Sequence, residues 1–456
     1  MKRVYVLIYT AAVIMLIGNS CKKGWLDVKS DSKTFIPSTL KDFELLLNHE
    51  SFINDKSGTM EEASADNFYL LYNIWNTTGI EMKNSYVWEK DILVGKTGAD
   101  WNNRYQRVFI SNIILEGLDK LNVSEADTTA LKSIKGRAMF VRALALYYLA
   151  QGYCAPYNKN TAGKELGIPL RISTDFNVKS IRSTVEETYK FITDNLKESA
   201  ELLPVTSPYV TQPNKTSAYA LLARVYLAME EYEQALNYAN LVLAKSNQLI
   251  DFNTLNANAP FPLLKFNKEV IYHDKSTLTT WYSQALHTVD TTLYKSYDLN
   301  DLRRKFYFTN NGPNKILFKG SYDQSAFPFT GIATDEIYLI RSECYARTNE
   351  LTKALKDLND LLKSRWSNLV PFVPAAPANP EDALVKILAE RRKELIFRNL
   401  RWTDLRRLNK DPRFSTTLLR NLNNVEYKLL PNSSRYIFPI PSDAIAASGM
   451  QQNPRD

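Results

Sequence analysis

The chain has 456 residues, 45% of them hydrophobic and 23% charged, an ordinary globular composition that excludes a disordered chain and a protein of many membrane spans. Only 15 glycines, 3 histidines and 3 cysteines argue against glycine-rich phosphate cradles, turn-dense all-β folds, zinc clusters and disulfide frameworks, and leave a mainly α-helical protein. The formal net charge of +8 raises the question of nucleic acid or an anionic surface, which the placement of the charge decides.

The chain opens with Met1-Lys2-Arg3, a short positive head, followed over residues 4–17 by an uncharged, mostly apolar stretch too short for a membrane span. This reads as an export signal over residues 1–20. Gly18-Asn19-Ser20 then lead to Cys21 and the polar Lys22-Lys23-Gly24, a lipoprotein cleavage pattern in which Gly18 replaces the usual aliphatic residue. The chemistry needs a cysteine because its thiolate is alkylated by a diacylglyceryl group, and several acyl chains anchor stably where one does not. Cys21 is the expected lipidation site, and Cys154 and Cys344 read as isolated buried thiols.

Residues 51–100 are polar, irregular and aromatic, with Phe68-Tyr69, Tyr72-Asn73-Ile74-Trp75-Asn76, Tyr86 and Trp88. Helical spacing begins with residues 105–121 and 131–148, which should pair antiparallel. Residues 184–203 start on Thr184 with Glu187 three positions on, a capping box, and stop before Pro204. An internal repeat follows: Tyr226 to Ala235 aligns with Tyr345 to Ala354 at equal spacing, each reading as helix, short turn, helix. Small residues such as Ala220, Ala223, Ala235 and Ala239 let helices approach while Tyr226 and Tyr232 fill gaps, the logic of tetratricopeptide units. A third unit starts near Arg142. The units are too far apart for a tandem solenoid, so the pattern predicts a dispersed helical scaffold carrying large insertions. The second insertion, residues 250–332, holds Trp281-Tyr282, Phe306-Tyr307-Phe308 and several further rings. Loops on a rigid scaffold carry recognition, which makes the insertions the place to seek function.

Enzyme chemistry is sought and mostly not found. Gly95-Lys96-Thr97 lacks the earlier glycine of a phosphate-binding loop, Lys90 standing there, and no GxSxG, HExxH or EF-hand spacing occurs. His49, His273 and His287 read as satisfied or exposed side chains. Glu61, Glu62 and Asp66 supply carboxylates whose separation in space the sequence does not give. No catalytic residue, metal or cofactor is expected. Aromatic plus amide is the chemistry that remains: a pyranose offers an apolar C–H face and a rim of hydroxyls, matched by a flat ring beside amide groups. Core packing is the plain alternative for any one ring. On composition, Tyr72, Trp75, Asn76, Trp88, Trp281 and Tyr282 are the expected ligand contacts.

The tail carries the most specific pattern. Glu390-Arg391-Arg392-Lys393-Glu394-Leu395-Ile396-Phe397 followed by Arg401-Trp402-Thr403-Asp404-Leu405-Arg406-Arg407 resembles the signature helix pair of the SusD/RagB family of outer-membrane nutrient-binding lipoproteins. Tyr436-Ile437-Phe438-Pro439-Ile440-Pro441 with Gln452-Asn453-Pro454 resembles that family's closing segment, and Cys21 followed by Trp25-Leu26-Asp27 its mature N-terminus. Where the family commonly has Glu-Gly, this chain has Arg398-Asn399, and Asn tolerates the left-handed conformation glycine would supply. Acidic residues alternate with basic ones here at helical spacing, so Glu390, Arg391, Glu394, Arg401, Trp402, Asp404 and Arg407 read as an ion-pair and packing knot rather than a nucleic-acid face.

The resemblance implies a single SusD-like domain over residues 21–456. Its N-terminal part is 21–212, and its C-terminal part, 213–456, holds the signature helices at 381–410. It implies a tetratricopeptide-like helical scaffold, a lipid anchor on the outer membrane, an outward-facing body, and a SusC-like TonB-dependent β-barrel transporter as partner. The expected ligand is an oligosaccharide, with a peptide or protein as the alternative, and no catalysis is expected.

Overall fold

The computed structural model describes residues 36–277, 286–312 and 315–456. The expected export signal over residues 1–20, Cys21, Trp281 and Tyr282 lie outside the described residues. Thr39–Asp456 is one unit, distinct from Met1–Ser38.

Nine helices make the framework: α1 (Ala99–Leu118), α2 (Thr128–Tyr153), α3 (Val185–Leu202), α4 (Lys215–Ala228), α5 (Tyr232–Leu243), α6 (Thr334–Arg347), α7 (Leu351–Arg365), α8 (Pro380–Glu394) and α9 (Arg401–Leu408). Each of α1 to α7 packs on the next, and α6 also takes α8. The array therefore runs on without a break from α5 to α6, although residues 244–333 lie between them in sequence. Among the described residues no helix is long and apolar enough to cross a membrane.

Local chemistry sets the helix starts. Thr184 and Glu187 close a reciprocal capping box on α3, Asn214 and Ser217 another on α4, and Asn379 caps α8 just before Pro380. Such caps satisfy N–H groups that the first helical turn leaves unpaired. The first helix starts at Ala99, earlier than its apolar spacing indicates, because Gly98 at φ 70° turns the chain into it.

In the repeat, Ala220, Ala223, Ala235, Ala239 and Ala354 are all fully buried. Ser342 Oγ reaches the Ala354 carbonyl at 2.8 Å between α6 and α7, the ring of Tyr226 stacks on Tyr238 at 5.7 Å, and the Arg347 guanidinium sits 4.7 Å from the Tyr232 ring. Alanines bring the backbones close and tyrosines fill what remains.

The insertions form a second layer with its own core, in which Phe68, Trp75, Tyr86, Phe252, Tyr297, Phe306, Tyr307, Phe308, Phe318, Tyr322, Phe329 and Phe397 pack together. Most rings that stand out in the sequence are therefore structural. Short antiparallel ladders hold the layer: β1 (Phe68–Leu70) pairs with β3 (His287–Val289), and β2 (Val270–Tyr272) pairs with β4 (Ile332–Ala333), which leads directly into α6.

Buried arginine–carboxylate pairs stitch this layer to the helices. Arg104 of α1 grips Glu61 at 2.6 and 2.8 Å, and Arg107 grips Asp274 at 2.9 and 3.0 Å. Arg401 of α9 holds Asp66 at 2.6 and 2.9 Å. Arg303 meets Asp301 and Glu390 at 2.6 Å and Glu394 at 2.9 Å, while Arg365 joins Glu269 and Glu394.

The signature residues thus reach further than one helix pair. Arg391–Asp404, at 2.9 Å, is the link between α8 and α9, but Arg407 runs on to Glu343 of α6 at 2.6 and 2.8 Å. Trp402 stacks on Phe438 at 5.8 Å and 12° and lies 4.6 Å from Tyr436, tying the closing segment to α9. Between the two helices Phe397 and Asn399 take φ 57° and 58°. Arg398 between them enters the insertion core, pairing with Asp335 at 2.7 and 3.0 Å, 4.0 Å from the Tyr322 ring.

Candidate ligand-binding face

The β1–β3 ladder brings the two insertions together. Leu70 stands opposite His287 in an antiparallel register, so the chain leaving β1 toward Tyr72 and the chain entering β3 lie at the same end of the ladder. Beyond β1 the chain turns into a short helix, Tyr72–Thr77. Tyr72 is 42% exposed and Asn76 is exposed one turn on, placing a ring and an amide on one outward face.

Trp75 is 8% exposed and supports that face from beneath. Its ring lies 5.8 Å from Tyr72 and 6.3 Å from Tyr427. The indole N–H donates to the Lys83 carbonyl at 2.9 Å, and the Lys83 ammonium covers the ring at 4.5 Å while donating to Asn76 Oδ1 at 2.7 Å. A ring covered on this many sides props Tyr72 and offers little to a ligand of its own.

Trp88 differs from the expectation outright. It is 1% exposed, its indole donates to the Ser64 carbonyl at 2.9 Å, and the Arg420 guanidinium lies 5.2 Å from its ring. With its donor satisfied and its faces covered, it is a core residue. The described part of the face is Tyr72 and Asn76 on a base of Trp75, Lys83 and Tyr427.

Sequence reasoning missed Lys83 and Tyr427. Tyr427 comes from a hairpin of Leu418–Leu422 with Val425–Leu429, turned by Asn423 and Asn424 at φ 48° and 65°. Paired left-handed asparagines are the turn that matches strand twist, so the Asn-Asn dipeptide was the available signal.

The carboxylates considered for hydrolysis are engaged. Glu61 is held by Arg104. Asp66 lies between Arg401 and Arg392; burial would raise its pKa, but these guanidinium groups hold it well below the usual carboxylate range. Glu62 accepts from Asn67 Nδ2 at 2.7 Å and from the Asn399 N–H at 3.2 Å, and burial pushes its carboxyl up to about 7. His273 lies 3.0 Å from Asp323 and edge-on to Phe266, while His287 packs against Phe68 and Phe397. Cys154 and Cys344 are buried free thiols. Among the described residues no cluster of His, Cys, Asp and Glu is arranged to hold a metal.

Comparison with known proteins places this architecture. A SusD-like family model, described as starch-binding associating with outer membrane, matches residues 24–227, and the SusD family model matches residues 320–455. SusD-like protein P2 of Formosa agariphila is 26% identical over 151 residues, covering 33% of this chain and 27% of the relative's length. Among solved structures, a putative sugar binding protein from Bacteroides vulgatus superposes with a TM-score of 0.74 at 24% identity over 92% of this chain and 99% of that one. A SusD superfamily protein from Bacteroides thetaiotaomicron gives 0.73 at 22% identity over 91% and 100%. With two family models bracketing the scaffold and the fold shared almost end to end, the chain belongs to the SusD/RagB family.

Proposed function

We propose that this protein is a lipid-anchored, surface-facing lipoprotein of the outer membrane that captures an oligosaccharide and passes it intact to a SusC-like TonB-dependent transporter. Cys21 carries the anchor, and the face formed by Tyr72 and Asn76, with Trp281 and Tyr282 of the second insertion, contacts the sugar. The observation that carries this reading is the exposed ring-and-amide face seated on Trp75 within the fold of a starch-binding, outer-membrane-associated family. A tyrosine face stacks on pyranose C–H bonds while an amide exchanges hydrogen bonds with hydroxyls, which selects a sugar without activating it.

The test is calorimetric titration of the protein beginning at Lys22 against plant, host and microbial oligosaccharides, with mass spectrometry of each ligand afterwards. One glycan class binds and is recovered uncut, and Tyr72→Ala weakens it about tenfold, or about 1.4 kcal/mol, without changing thermal stability. Cleaved ligand would overturn the capture reading. Binding of a peptide panel with indifference to every sugar would move the ligand to the alternative class.

A further inference from the structure

A cavity of about 580 Å³ lies away from the Tyr72 face and shares no residue with it. It is a groove between α1, the loop of residues 169–181 and α10 (Ser442–Ser448), the short helix near the C-terminus.

One wall is a single face of α1. Trp101, Tyr105 and Phe109 form one row at helical spacing, and Asn102 and Gln106 form the row beside it. Trp101 and Tyr105 lie 4.7 Å apart, and the Tyr105 hydroxyl is committed to the Pro169 carbonyl at 2.8 Å. Asn112 is committed as well, donating to the Arg171 carbonyl and accepting from Arg142, each at 3.0 Å. Gln106 is exposed, and among the described residues no hydrogen bond holds its amide.

The opposite wall presents Phe176, 81% exposed, with its ring 5.2 Å from Phe109 at 39°. An exposed phenylalanine is ordinarily a loose side chain on a loose loop, but this loop is tied on every side. Glu116 of α1 accepts from the Thr174 N–H at 2.7 Å and its hydroxyl at 2.5 Å. Asp175 accepts from the Asn177 N–H at 2.8 Å. The Arg171 guanidinium donates to the carbonyls of Val178 and Asp175 and to Ser180 Oγ. A ring displayed on a fixed backbone loses little freedom on binding, which is how preorganised sites gain affinity.

The charge in the groove has one sign. Arg171 and Lys179 line it and no carboxylate does. The Lys179 ammonium stands across the groove near Gly449, the residue that closes α10 at φ 68°, and has no carboxylate partner among the described residues. Two angled rings, the Gln106 amide and the Lys179 ammonium specify a ligand with an apolar ring face, hydroxyls and negative charge.

We propose that this groove is a second saccharide site, selective for a pyranose carrying a carboxylate or a sulfate. The sugar face lies against Phe109 and Phe176, its hydroxyls reach Gln106 and Asn177, and its anionic group meets Lys179. The inference rests on the glycan reading of the protein and adds to it a site and a charge class.

The experiment is titration of the detergent-solubilised full chain with oligogalacturonate, with a sulfated galactan oligosaccharide and with a neutral maltooligosaccharide of matched length, at low and at high salt. At least one anionic series binds, more weakly as salt rises. Phe176→Ser and Lys179→Gln each weaken it about tenfold or more, while Lys356→Ala, on an exposed side chain outside both sites, leaves it in place. Phe176 and Lys179 are exposed, so neither change threatens the fold, and unchanged melting curves verify that. Equal binding of the neutral series, or indifference to Lys179→Gln, overturns the anionic assignment. Saccharide binding that responds to Tyr72→Ala alone overturns the groove and leaves the capture reading standing. Failure of every sugar on every variant overturns both.

Discussion

The helical framework and the aromatic layer are held together by different physics. In the array from α2 to α5 buried alanines, leucines and tyrosines dominate, joined by a few hydrogen bonds such as Arg142–Asn195 and Gln151–Tyr189, so stability there mainly follows apolar area and close packing. In the layer built by the insertions, rings meet edge-on, and the layer is fastened to the helices by guanidinium–carboxylate pairs with almost no exposure. Apolar packing tolerates small changes of volume, whereas a buried ion requires its partner, since a charge left alone in the interior finds no water. An irregular insertion gains a fixed geometry in this way without the regular hydrogen bonding of a sheet.

The contrast breaks most sharply at Arg303. Arg303→Met leaves Asp301, Glu390 and Glu394 without their shared guanidinium, at an expected loss of about 3–5 kcal/mol, read as a drop in thermal midpoint or a failure to fold. The next effect concerns pH. Glu62 is raised from 4.5 to about 7 by burial, so the folded chain holds a proton there that the unfolded chain has released. Stability from this group falls as pH rises from about 4.5 to about 7, by an amount on the order of 3 kcal/mol. Glu62→Gln flattens that slope in denaturant titrations run across the interval, and an unchanged slope would sink the assignment.

The framework responds on a smaller scale. Ala239→Leu overpacks the α4–α5 contact and costs about 1–3 kcal/mol, with the same loss at low and high salt, which separates it from the ion-pair variants. At the bottom of the range, Lys356→Ala removes an exposed pair with Asp360 and shifts stability by less than about 0.5 kcal/mol. A large effect there would mean that the distinction between buried and exposed pairs does not hold.

The helices were legible because their signals are local. The capping box at Thr184, the matched spacing from Tyr226 to Ala235 and from Tyr345 to Ala354, and the tail motif each declare themselves within a few residues. The ligand face was legible only in part. Tyr72 and Trp88 look alike in sequence, both among polar residues in the first insertion, and what separates them is remote: Ser64 offers a carbonyl to one indole, and Arg420, more than three hundred residues along, lies over it. Glu61 and Asp66 likewise look available until Arg104 and Arg401 are brought to them. The signature motif announced a knot, but its partners Glu343, Arg303 and Arg365 stand in other elements, and no spacing rule names them.

The register of β1 against β3 also orders events in time. Phe68 finds Val289 only after the chain between them has been made and delivered, and closing so long a loop is slow compared with forming helices whose contacts are close in sequence. The helical array is therefore expected to condense first and the surface that carries Tyr72 last. A chain arrested on the way would register as mostly helical yet bind nothing, which makes ligand binding, rather than helix content, the faithful measure of whether a preparation has finished folding.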